Sequence, residues 1–305
     1  MDQKNSLIQI LEPFQAFIEN RLVQVIPSLG KKTVLRDACE YALLNGGKRF
    51  RPFLVLLIAQ ALNKEVDVSH AALAVEFFHT ASLIADDLPC MDNEELRRNK
   101  PSVHKVYGES TALLASYALI AAGYELLVNN AKTLKESGLN HAAHSDRICV
   151  IALENATYNT GILGATGGQF LDINPPDLHL DEVRNILCMK TVSLFEISFV
   201  LGWVYGGGDL DQLDLIKKAA YHFGMAFQIA DDFDDCDQDM QNGRKINLVL
   251  ACGAEIAFSQ FQNEINKFLS IIKTLKINTA EFHGMCEYLK FQVETIYSKK
   301  AFAQS

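Results

Sequence analysis

Apolar residues recur every three or four positions through most of the chain, which is the spacing of an amphipathic or buried α-helix. These runs predict helices at residues 33–44, 53–62, 70–86, 110–129, 147–163, 180–205, 211–232 and 254–272. Clusters of glycine, proline and asparagine separate the runs, and residues 171–181 form the clearest loop. Long alternating runs, which would indicate half-buried strands, are not found. The pattern therefore predicts an all-α fold.

Composition favours one domain. The chain has 305 residues, of which 49% are apolar and only seven are proline, so a large core and long helices are both possible. No repeat, low-complexity stretch or linker divides the sequence. We therefore predict a single all-helical domain over residues 1–305, with buried central helices.

Charge and cysteine content argue against a nucleic-acid-binding protein and against a disulfide-rich one. The formal net charge of −9 argues against non-specific nucleic-acid binding, which needs a basic surface. The seven cysteines are scattered and form no CxxC pair, as in a reduced, cytosolic protein. The first residues hold no apolar signal core, and no apolar run approaches the roughly 20 residues that cross a bilayer. We expect a cytoplasmic protein with no nucleic-acid partner and no transmembrane segment.

The first of two acidic clusters, residues 86–92, ends a predicted helix. Its carboxylates are Asp86, Asp87 and Asp92, and Pro89 interrupts the helix because it lacks a donor and crowds the preceding turn. The intervening residues let Asp92 fold back towards Asp86. Negative charge is unfavourable at a helix C-terminus, so a bound cation explains the cluster better than a solvated helix end does.

The second acidic cluster, residues 231–235, lies on a predicted helix. Asp231 and Asp235 are four residues apart and share a face with Gln228, while Asp232 lies beside them. Like charges at this spacing destabilise a bare helix, and carboxylate oxygens suit Mg²⁺, which completes its shell with water and phosphate. An acidic surface patch is the alternative for one such cluster alone. Two clusters facing each other would hold a diphosphate.

Basic residues bracket the first acidic cluster. Lys48, Arg49 and Arg51 follow two glycines, and Arg97 and Arg98 follow the cluster itself. Arginine binds phosphate oxygens through a planar fork, and lysine supplies a mobile point charge. Each residue alone would be better explained as a solvated surface cation, but the grouping favours a diphosphate site.

Three further polar residues lie within apolar helices. His79 precedes Asp86 by seven residues and so shares its helical face, although a core histidine is an equally good interpretation. Lys190 and Thr191 interrupt an apolar run, where a lysine must pair or reach solvent.

Five segments of the chain together resemble the trans-polyprenyl diphosphate synthase family. They occur in the family's order and are GGKRFRP, HTASLIADDLPCMDNEELRRNKPSVHKVYG, GGQFLDI, KT and QIADDFDD. The resemblance runs from about residue 40 to about residue 255. The first motif reads DDLPCMD rather than DDxxD, an insertion shared with the bacterial and plant type of geranylgeranyl diphosphate synthase.

The resemblance implies a role for each matching residue. The metal site would hold about three Mg²⁺, bound by Asp86, Asp92, Asp231 and Asp235 with Asp87 and Asp232 in support. The allylic diphosphate would also contact Arg97, Lys190 and Gln228, and isopentenyl diphosphate would contact Lys48, Arg51, His79 and Arg98. Thr191 would lie near the reacting carbons and complete the catalytic set with Lys190 and the metal-binding carboxylates.

The resemblance also implies the reaction and the fold. Mg²⁺ and cations would stabilise the departing diphosphate, and the double bond of isopentenyl diphosphate would attack the allylic cation. The proton would be lost to the released diphosphate. The implied fold is a helical bundle around a deep apolar cavity, and members of the family commonly form homodimers.

One departure from the family pattern follows the second acidic cluster. Family members usually carry two lysines there, and Lys245 fits the second as a substrate-binding residue, since Gly253 falls eight residues later. The first lysine and about a dozen residues around it are missing. We therefore expect the shortened 236–247 loop to close poorly, with Arg244 or Lys245 partly replacing the absent cation.

The helix before the first cluster predicts the product length. Ala81 lies five residues before Asp86, where a bulky aromatic residue would stop the growing chain at farnesyl. Phe77 and Phe78 lie about one turn deeper, about 5.4 Å along the axis. We predict geranylgeranyl diphosphate as the main product, with either phenylalanine as the floor of the cavity; ordinary core packing is the alternative for each.

Other functions stay open at this point. A farnesyl or longer-chain polyprenyl diphosphate synthase needs the same motifs. A weakly catalytic, prenyl-diphosphate-binding regulatory subunit would usually lose an acidic motif, whereas both are intact here. A terpene cyclase would pair one acidic motif with an Asn/Ser/Glu triad, which does not occur after residue 190.

Overall fold

The fold is all-α, as predicted. The computed structural model describes residues 3–62, 65–176, 179–244 and 246–303. In these ranges the helices are α1 Gln3–Val25, α2 Val34–Leu43, α3 Phe50–Ala61, α4 Ser69–Asp86, α5 Val103–Tyr107, α6 Glu109–Glu136, α7 Ser145–Thr160, α8 Ala165–Ile173, α9 Leu180–Leu187, α10 Ser193–Tyr205, α11 Leu213–Asn242, α12 Leu248–Cys252, α13 Ala254–Thr274 and α14 Ala280–Ala303.

A small β-hairpin follows the first acidic cluster. Strands β1 (Leu96–Arg97) and β2 (Lys100–Pro101) pair antiparallel, with Arg97 opposite Lys100. Arg98 and Asn99 form the turn, with φ of 55° and 64°. Two consecutive positive φ values are typical of the tight turns that join hairpin strands. The hairpin therefore fixes the direction in which Arg97 and Arg98 leave the backbone.

The predicted helices are confirmed, with two corrections. The helix expected at 211–232 runs on to Asn242 because nothing breaks it before Gly243, whose φ of 67° ends it. The helix expected at 180–205 is divided by a π-helical turn, Cys188–Val192. Helices α1, α5, α8, α12 and α14 were not predicted, and α8 extends to Ile173, within the loop expected at residues 171–181.

Contacts divide the described chain into two compact units. The N-terminal unit takes its residues from Leu11–Ala156 and Leu201–Gly208, and the C-terminal unit from Met1–Ile10, Thr157–Val200 and Asp209–Ser305. The single domain expected over 1–305 stays a prediction.

In the N-terminal unit, α4 is the central helix. It packs against α6 and α3, and Phe77 is fully buried among them. The part of α10 in this unit also packs closely on α3, because a Cβ at Gly202 would lie 2.7 Å from the carbonyl oxygen of Val55. This core supports the end of α4, where the first acidic cluster begins.

In the C-terminal unit, α11 packs against α13 and α14. A cluster of buried aromatic rings joins these helices to α10, namely Phe195, Phe199, Phe223, Phe268 and Phe282. Ring centroids 4.9–6.1 Å apart are typical of favourable aromatic pairs. The cluster fixes the N-terminal half of α11, and the second acidic cluster lies two turns further on.

Two described stretches, Glu109–Glu136 and Leu180–Tyr205, are long and apolar enough to cross a membrane by length and composition alone. Core helices meet the same criterion, and 72% of the apolar window in the second stretch is buried within the protein.

Candidate active site

The first acidic cluster forms a tight turn at the end of α4. The backbone N–H of Asp92 donates to the carbonyl oxygen of Asp86 at 2.9 Å, and that of Met91 donates to Leu88 at 2.9 Å. Asp92 therefore returns to Asp86, as the sequence predicted. Pro89 lies in the turn and prevents α4 from continuing.

The three carboxylates of this cluster differ in exposure. Asp87 is buried, whereas Asp86 is half-buried and Asp92 is exposed. Arg97 Nε donates to Asp87 Oδ1 at 3.0 Å and to Oδ2 at 3.3 Å, and Arg97 Nη2 also donates to Oδ1. These hydrogen bonds to Asp87 raise the pKa of Arg97. Asp87 and Arg97 are thus partners that attach the hairpin to the acidic turn.

The three cations of residues 48–51, at the start of α3, differ in burial and in their partners. Arg49 is buried, with Nε donating to Glu19 at 2.7 Å and Nη1 donating to Glu76. A buried ion pair of this kind holds elements together and leaves no charge for a ligand. Lys48, in contrast, is exposed, and Arg51 is half-buried.

Arg51, His79 and Arg98 lie near one another in the N-terminal unit. Arg51 Nη1 lies 3.5 Å from His79 Nε2. Burial and the charges of Arg51 and Arg98 lower the pKa of His79 well below its usual value, so the imidazole is neutral near pH 7. Arg98 Nη1 donates to the carbonyl oxygen of Gly46.

The glycine at position 47 makes room for this arginine. A Cβ there would overlap the Arg98 guanidinium, and the φ of Gly47 is +116°. A small cavity of about 20 Å³ lies beside Asp87, Arg97 and Arg98. Arg97 and Arg98 therefore line one cavity with Asp87, and the charges of both also act on His79.

The second acidic cluster lies in the second half of α11. Asp231 is half-buried and Asp235 is exposed, but Asp232 is buried. Gln228 Nε2 donates to Asp232 Oδ1 at 2.7 Å, and the backbone N–H of Leu248 donates to Oδ2 at 2.7 Å. Burial raises the pKa of Asp232 to about 7 despite these donors.

Neighbouring carboxylates repel one another along this helix. Burial, followed by the charges of Asp239 and Asp234, raises the pKa of Asp235. A divalent cation would relieve such repulsion.

The loop expected at residues 236–247 is largely helical, because α11 continues to Asn242 and only a short segment follows it. Arg244 Nε lies 4.0 Å from Asp239 Oδ1, and the Arg244 N–H donates to the Asp239 carbonyl oxygen at 2.9 Å. Asn247 begins α12 and is buried. Lys245, predicted to bind substrate, lies outside the described residues.

Lys190 and Thr191 lie on the π-helical turn between α9 and α10. Lys190 Nζ forms an ion pair with Asp172 Oδ2 on α8. A Cβ at Gly168 would overlap the backbone nitrogen of Lys190, so α8 and this turn are in close contact. Widened turns of this kind are frequent at functional sites. The partner of Lys190 could not be identified from the sequence, because Asp172 falls within residues 171–181, which were expected to form a loop, whereas the structure places it on α8.

Two of the residues predicted to set product length contact α6: Phe78 packs on Gly123, and Ser116 Oγ donates to the carbonyl oxygen of Ala81 at 2.9 Å. Ala81 and Phe77 are fully buried. The ring of Phe78 occupies the space beside Gly123, where a Cβ would lie 2.5 Å from its Cε1 atom, and its centroid is 5.0 Å from that of Tyr124. The deep cavity that these residues would line stays a prediction.

Mg²⁺ is chemically compatible with both acidic clusters. Among the described residues, no group of three or more histidine, cysteine, aspartate or glutamate side chains is arranged as a metal site. Mg²⁺ does not require one, because it usually takes one or two carboxylates and completes its shell with water and substrate phosphate. Each cluster offers a half-buried carboxylate, Asp86 or Asp231, and an exposed one, Asp92 or Asp235.

A larger groove lies elsewhere in the N-terminal unit. Its volume is about 850 Å³, and Phe14, Arg21, Leu56 and Asp67 are among its lining residues. It contains none of the predicted site residues.

Curated proteins resemble this chain in sequence, and solved structures resemble it in fold. Geranylgeranyl pyrophosphate synthase 3 of Arabidopsis thaliana is 39% identical over 222 residues, which is 71% of this chain and 59% of that protein. The chain spans about three-fifths of the length of the curated relatives it matches.

Two solved structures match over nearly their full length. An FPP/GFPP synthase from Zymomonas mobilis is 28% identical, with a TM-score of 0.73 over 97% of this chain and 99% of that one. A geranyltransferase from Helicobacter pylori is 30% identical, with a TM-score of 0.72 and the same coverage. Residues 32–248 match the polyprenyl synthetase family model. The chain belongs to the polyprenyl synthetase family.

Proposed function

We propose that the protein is a Mg²⁺-dependent prenyltransferase that joins isopentenyl diphosphate to an allylic prenyl diphosphate. The carrying observation is that both acidic motifs of this family member are intact and present partly exposed carboxylates at Asp86, Asp92, Asp231 and Asp235. These four residues would bind the metal, and the cations on the N-terminal unit would bind diphosphate oxygens.

Bound Mg²⁺ would supply positive charge to the diphosphate as it leaves the allylic carbon. Lys48, Arg51, His79 and Arg98 would orient isopentenyl diphosphate. The neutral state of His79 suits it to hydrogen bonding with a phosphate oxygen beside Arg51.

The remaining residues would act on the allylic substrate. Lys190 would bind the diphosphate of the allylic substrate, and this contact would partly replace its ion pair with Asp172. Thr191 would face the reacting carbons. Arg97 and Gln228 would act largely through Asp87 and Asp232, to which they are bound. One C–O bond breaks and one C–C bond forms, and the proton lost from isopentenyl diphosphate goes to the released diphosphate.

The main product is proposed to be geranylgeranyl diphosphate. Two curated relatives, 39% and 38% identical, carry the name geranylgeranyl pyrophosphate synthase, and Ala81 offers no bulky side chain on the helix before the first motif. A farnesyl or longer product is the alternative, because one structural neighbour is named as an FPP/GFPP synthase.

Chromatography of the products tests this proposal. The protein is incubated with isopentenyl diphosphate, Mg²⁺ and dimethylallyl, geranyl or farnesyl diphosphate in turn. We expect a product of twenty carbons (the length of geranylgeranyl) from each allylic starter. A product that stops at farnesyl or runs past geranylgeranyl would overturn the length assignment alone. No elongation from any starter would overturn the enzyme assignment.

A weakly catalytic regulatory subunit is the second candidate. The short sequence between the second acidic cluster and α12 favours it, because the family's first lysine is missing there. Such a subunit would bind the allylic diphosphate with little turnover, and it would change the rate or product of a catalytic partner. Binding without elongation in the same assays would select this alternative.

The protein is also proposed to act as a homodimer. Leu114 and Tyr117 lie three residues apart on α6, and 52% and 59% of their surface is exposed. Apolar side chains grouped in this way are typical of an interface. Light scattering tests this, with Leu114→Glu expected to give monomers and Val23→Glu, on α1, to leave the dimer intact. The cytoplasmic location stays a prediction.

A further inference from the structure

We propose that Asn247 is a positioning residue for the second acidic cluster. Its side chain holds the acidic C-terminal end of α11 in place, next to the short connection between α11 and α12. The inference rests on the proposed function for its catalytic consequence. It does not rest on that function for its structural basis, which lies in four contacts within the C-terminal unit.

Asn247 uses its whole side-chain amide. It is fully buried, and its Oδ1 accepts a hydrogen bond from the backbone N–H of Leu250 at 3.1 Å. Its Nδ2 donates to the carbonyl oxygen of Asp232 at 3.0 Å and to Asp239 Oδ2 at 2.9 Å. The acceptor side therefore caps α12, and the donor side is directed entirely at α11.

The two acceptors on α11 bracket the exposed carboxylate of the cluster. Asp232 and Asp239 are about two helical turns apart, and Asp235 lies between them. The neighbouring N–H of Leu248 donates to Asp232 Oδ2, which gives α11 and α12 a further connection. Helix α11 is thus hydrogen-bonded to Asn247 both before and after Asp235.

This end of α11 needs such a support. Asp234, Asp235, Asp237 and Asp239 follow one another closely, and negative charge near a helix C-terminus is unfavourable. In an unsupported helix the last turns would fray, and Asp235 would lose its place one turn after Asp231. The amide of Asn247 supplies a neutral donor where a carboxylate would add to the repulsion.

The shortness of the connection makes the contact possible. Only a few residues separate Gly243, which ends α11, from Asn247, which starts α12. A loop of this length keeps α12 against the helix it follows. In this chain the position of the second cluster is therefore set by a fixed contact rather than by a long closing segment.

Three variants separate positioning from simple capping. Asn247→Ala removes the cap and both donor contacts. Asn247→Ser keeps an oxygen that can cap α12, but its side chain is too short to reach both Asp232 and Asp239. Thr33→Ala is the matched control, since Thr33 caps α2 in the N-terminal unit by accepting from the Arg36 N–H at 3.3 Å.

The measured quantity is the Mg²⁺ concentration that gives half-maximal diphosphate release. We expect Asn247→Ala and Asn247→Ser to raise it by about 10–100-fold, as loss of a residue that orients a metal ligand does. Thr33→Ala should lower the melting temperature without changing the Mg²⁺ dependence. A wild-type Mg²⁺ dependence in Asn247→Ser would overturn the proposal and leave Asn247 as a helix cap only.

Hydrogen exchange in the absence of substrate keeps this test independent of activity. In both Asn247 variants the amides of residues 235–242 should exchange faster than in the wild type, while those of α13 should not. If exchange is faster in the Asn247 variants but the wild type never elongates a prenyl chain, the proposed function is wrong and the positioning role of Asn247 is supported. Unchanged exchange in this segment would contradict the positioning role itself.

Discussion

At the scale of single residues, the aspartates of each acidic motif divide into two kinds. Asp87 and Asp232, the second residue of each adjacent pair, are buried. The carboxylate of Asp87 accepts hydrogen bonds from Arg97, and that of Asp232 accepts them from Gln228 and the Leu248 N–H. The first and last carboxylates of each motif stay partly exposed. We infer that the buried pair act as anchors and that their support of the metal site is indirect.

This division predicts opposite phenotypes for neighbouring residues. Asp87→Asn should lower the free energy of unfolding by about 1–3 kcal/mol, because Arg97 loses a charged partner beside a buried group. Asp86→Asn should change stability less and activity more. Thermal unfolding followed by circular dichroism, alongside diphosphate release, measures both. An Asp87→Asn protein as stable as the wild type would show that the Arg97 contact contributes nothing.

The sequence could identify the chemical type of these residues but not their partners. Lys48, Arg49 and Arg51 are alike as a basic run, yet Arg49 alone finds Glu19 and Glu76, 30 and 27 residues away. Asn247 carried no signal, because its role depends on where α12 meets α11. Pairings between distant positions are a property of the packed chain and are not visible in local spacing.

At the scale of elements, most boundaries followed from apolar spacing and chain breakers. Helix α4 was expected at 70–86 and extends over Ser69–Asp86, since Pro89 stops it. The hairpin at residues 96–101 was missed because its strands have two residues each and Arg98 is an unusual residue for a positive φ. The π-helical turn at Lys190 was missed because the apolar pattern resumes directly after Lys190 and Thr191, so one continuous helix was expected over residues 180–205.

The contact between α10 and α3 gives a stability prediction. Gly202→Ala should destabilise the protein by about 1–3 kcal/mol, because the new methyl group meets the Val55 backbone, which cannot move aside. Gly224→Ala is the comparison, since its Cβ would lie 3.1–3.2 Å from side-chain atoms of Val192 and Phe195 and meet no backbone atom as closely as Gly202 does. Calorimetry that gave equal melting temperatures for the two variants would contradict this account of the packing.

The short segment after α11 gives a kinetic prediction. Neutralising Arg244 and Lys245 together should raise the KM for the allylic diphosphate more than the KM for isopentenyl diphosphate, because these cations are proposed to stand in for the missing lysine. Steady-state kinetics with each substrate varied in turn provide the comparison. Equal changes in the two constants, or none, would count against a role in binding the allylic substrate.

At the scale of the whole molecule, product length is the property that the sequence predicts most specifically. Ala81→Tyr should shift the main product to farnesyl diphosphate, and Phe77→Ala with Phe78→Ala should lengthen it. The buried position of Ala81 means that a tyrosine there must occupy interior space. Chromatography of the products measures this, with Ala143→Tyr, at an exposed alanine, as the control. An Ala81→Tyr protein that folds and still makes mainly geranylgeranyl diphosphate would show that the prenyl chain grows elsewhere.

The fold class and family could be recognised from the sequence because they depend on patterns repeated along the chain. Helical spacing, two acidic motifs and their neighbouring cations are all local, and the family model matches residues 32–248. The volume available to the prenyl chain depends instead on how rings such as Phe78 pack against Gly123 of another helix. One methyl group at that contact would change the space, and local spacing does not report it.

The acidic motifs are proposed to hold Mg²⁺ for transfer of a prenyl group. Diphosphate release from isopentenyl and farnesyl diphosphates, with and without Mg²⁺, tests it most directly in the wild type, Asp231→Asn and Asp234→Asn. The two variants make the same charge change three residues apart, but only Asp231 is proposed to bind the metal. We predict Mg²⁺-dependent release by the wild type and by Asp234→Asn, and a loss of several orders of magnitude in Asp231→Asn. Near-parental release by Asp231→Asn at saturating Mg²⁺, or release by the wild type without Mg²⁺, would contradict the claim.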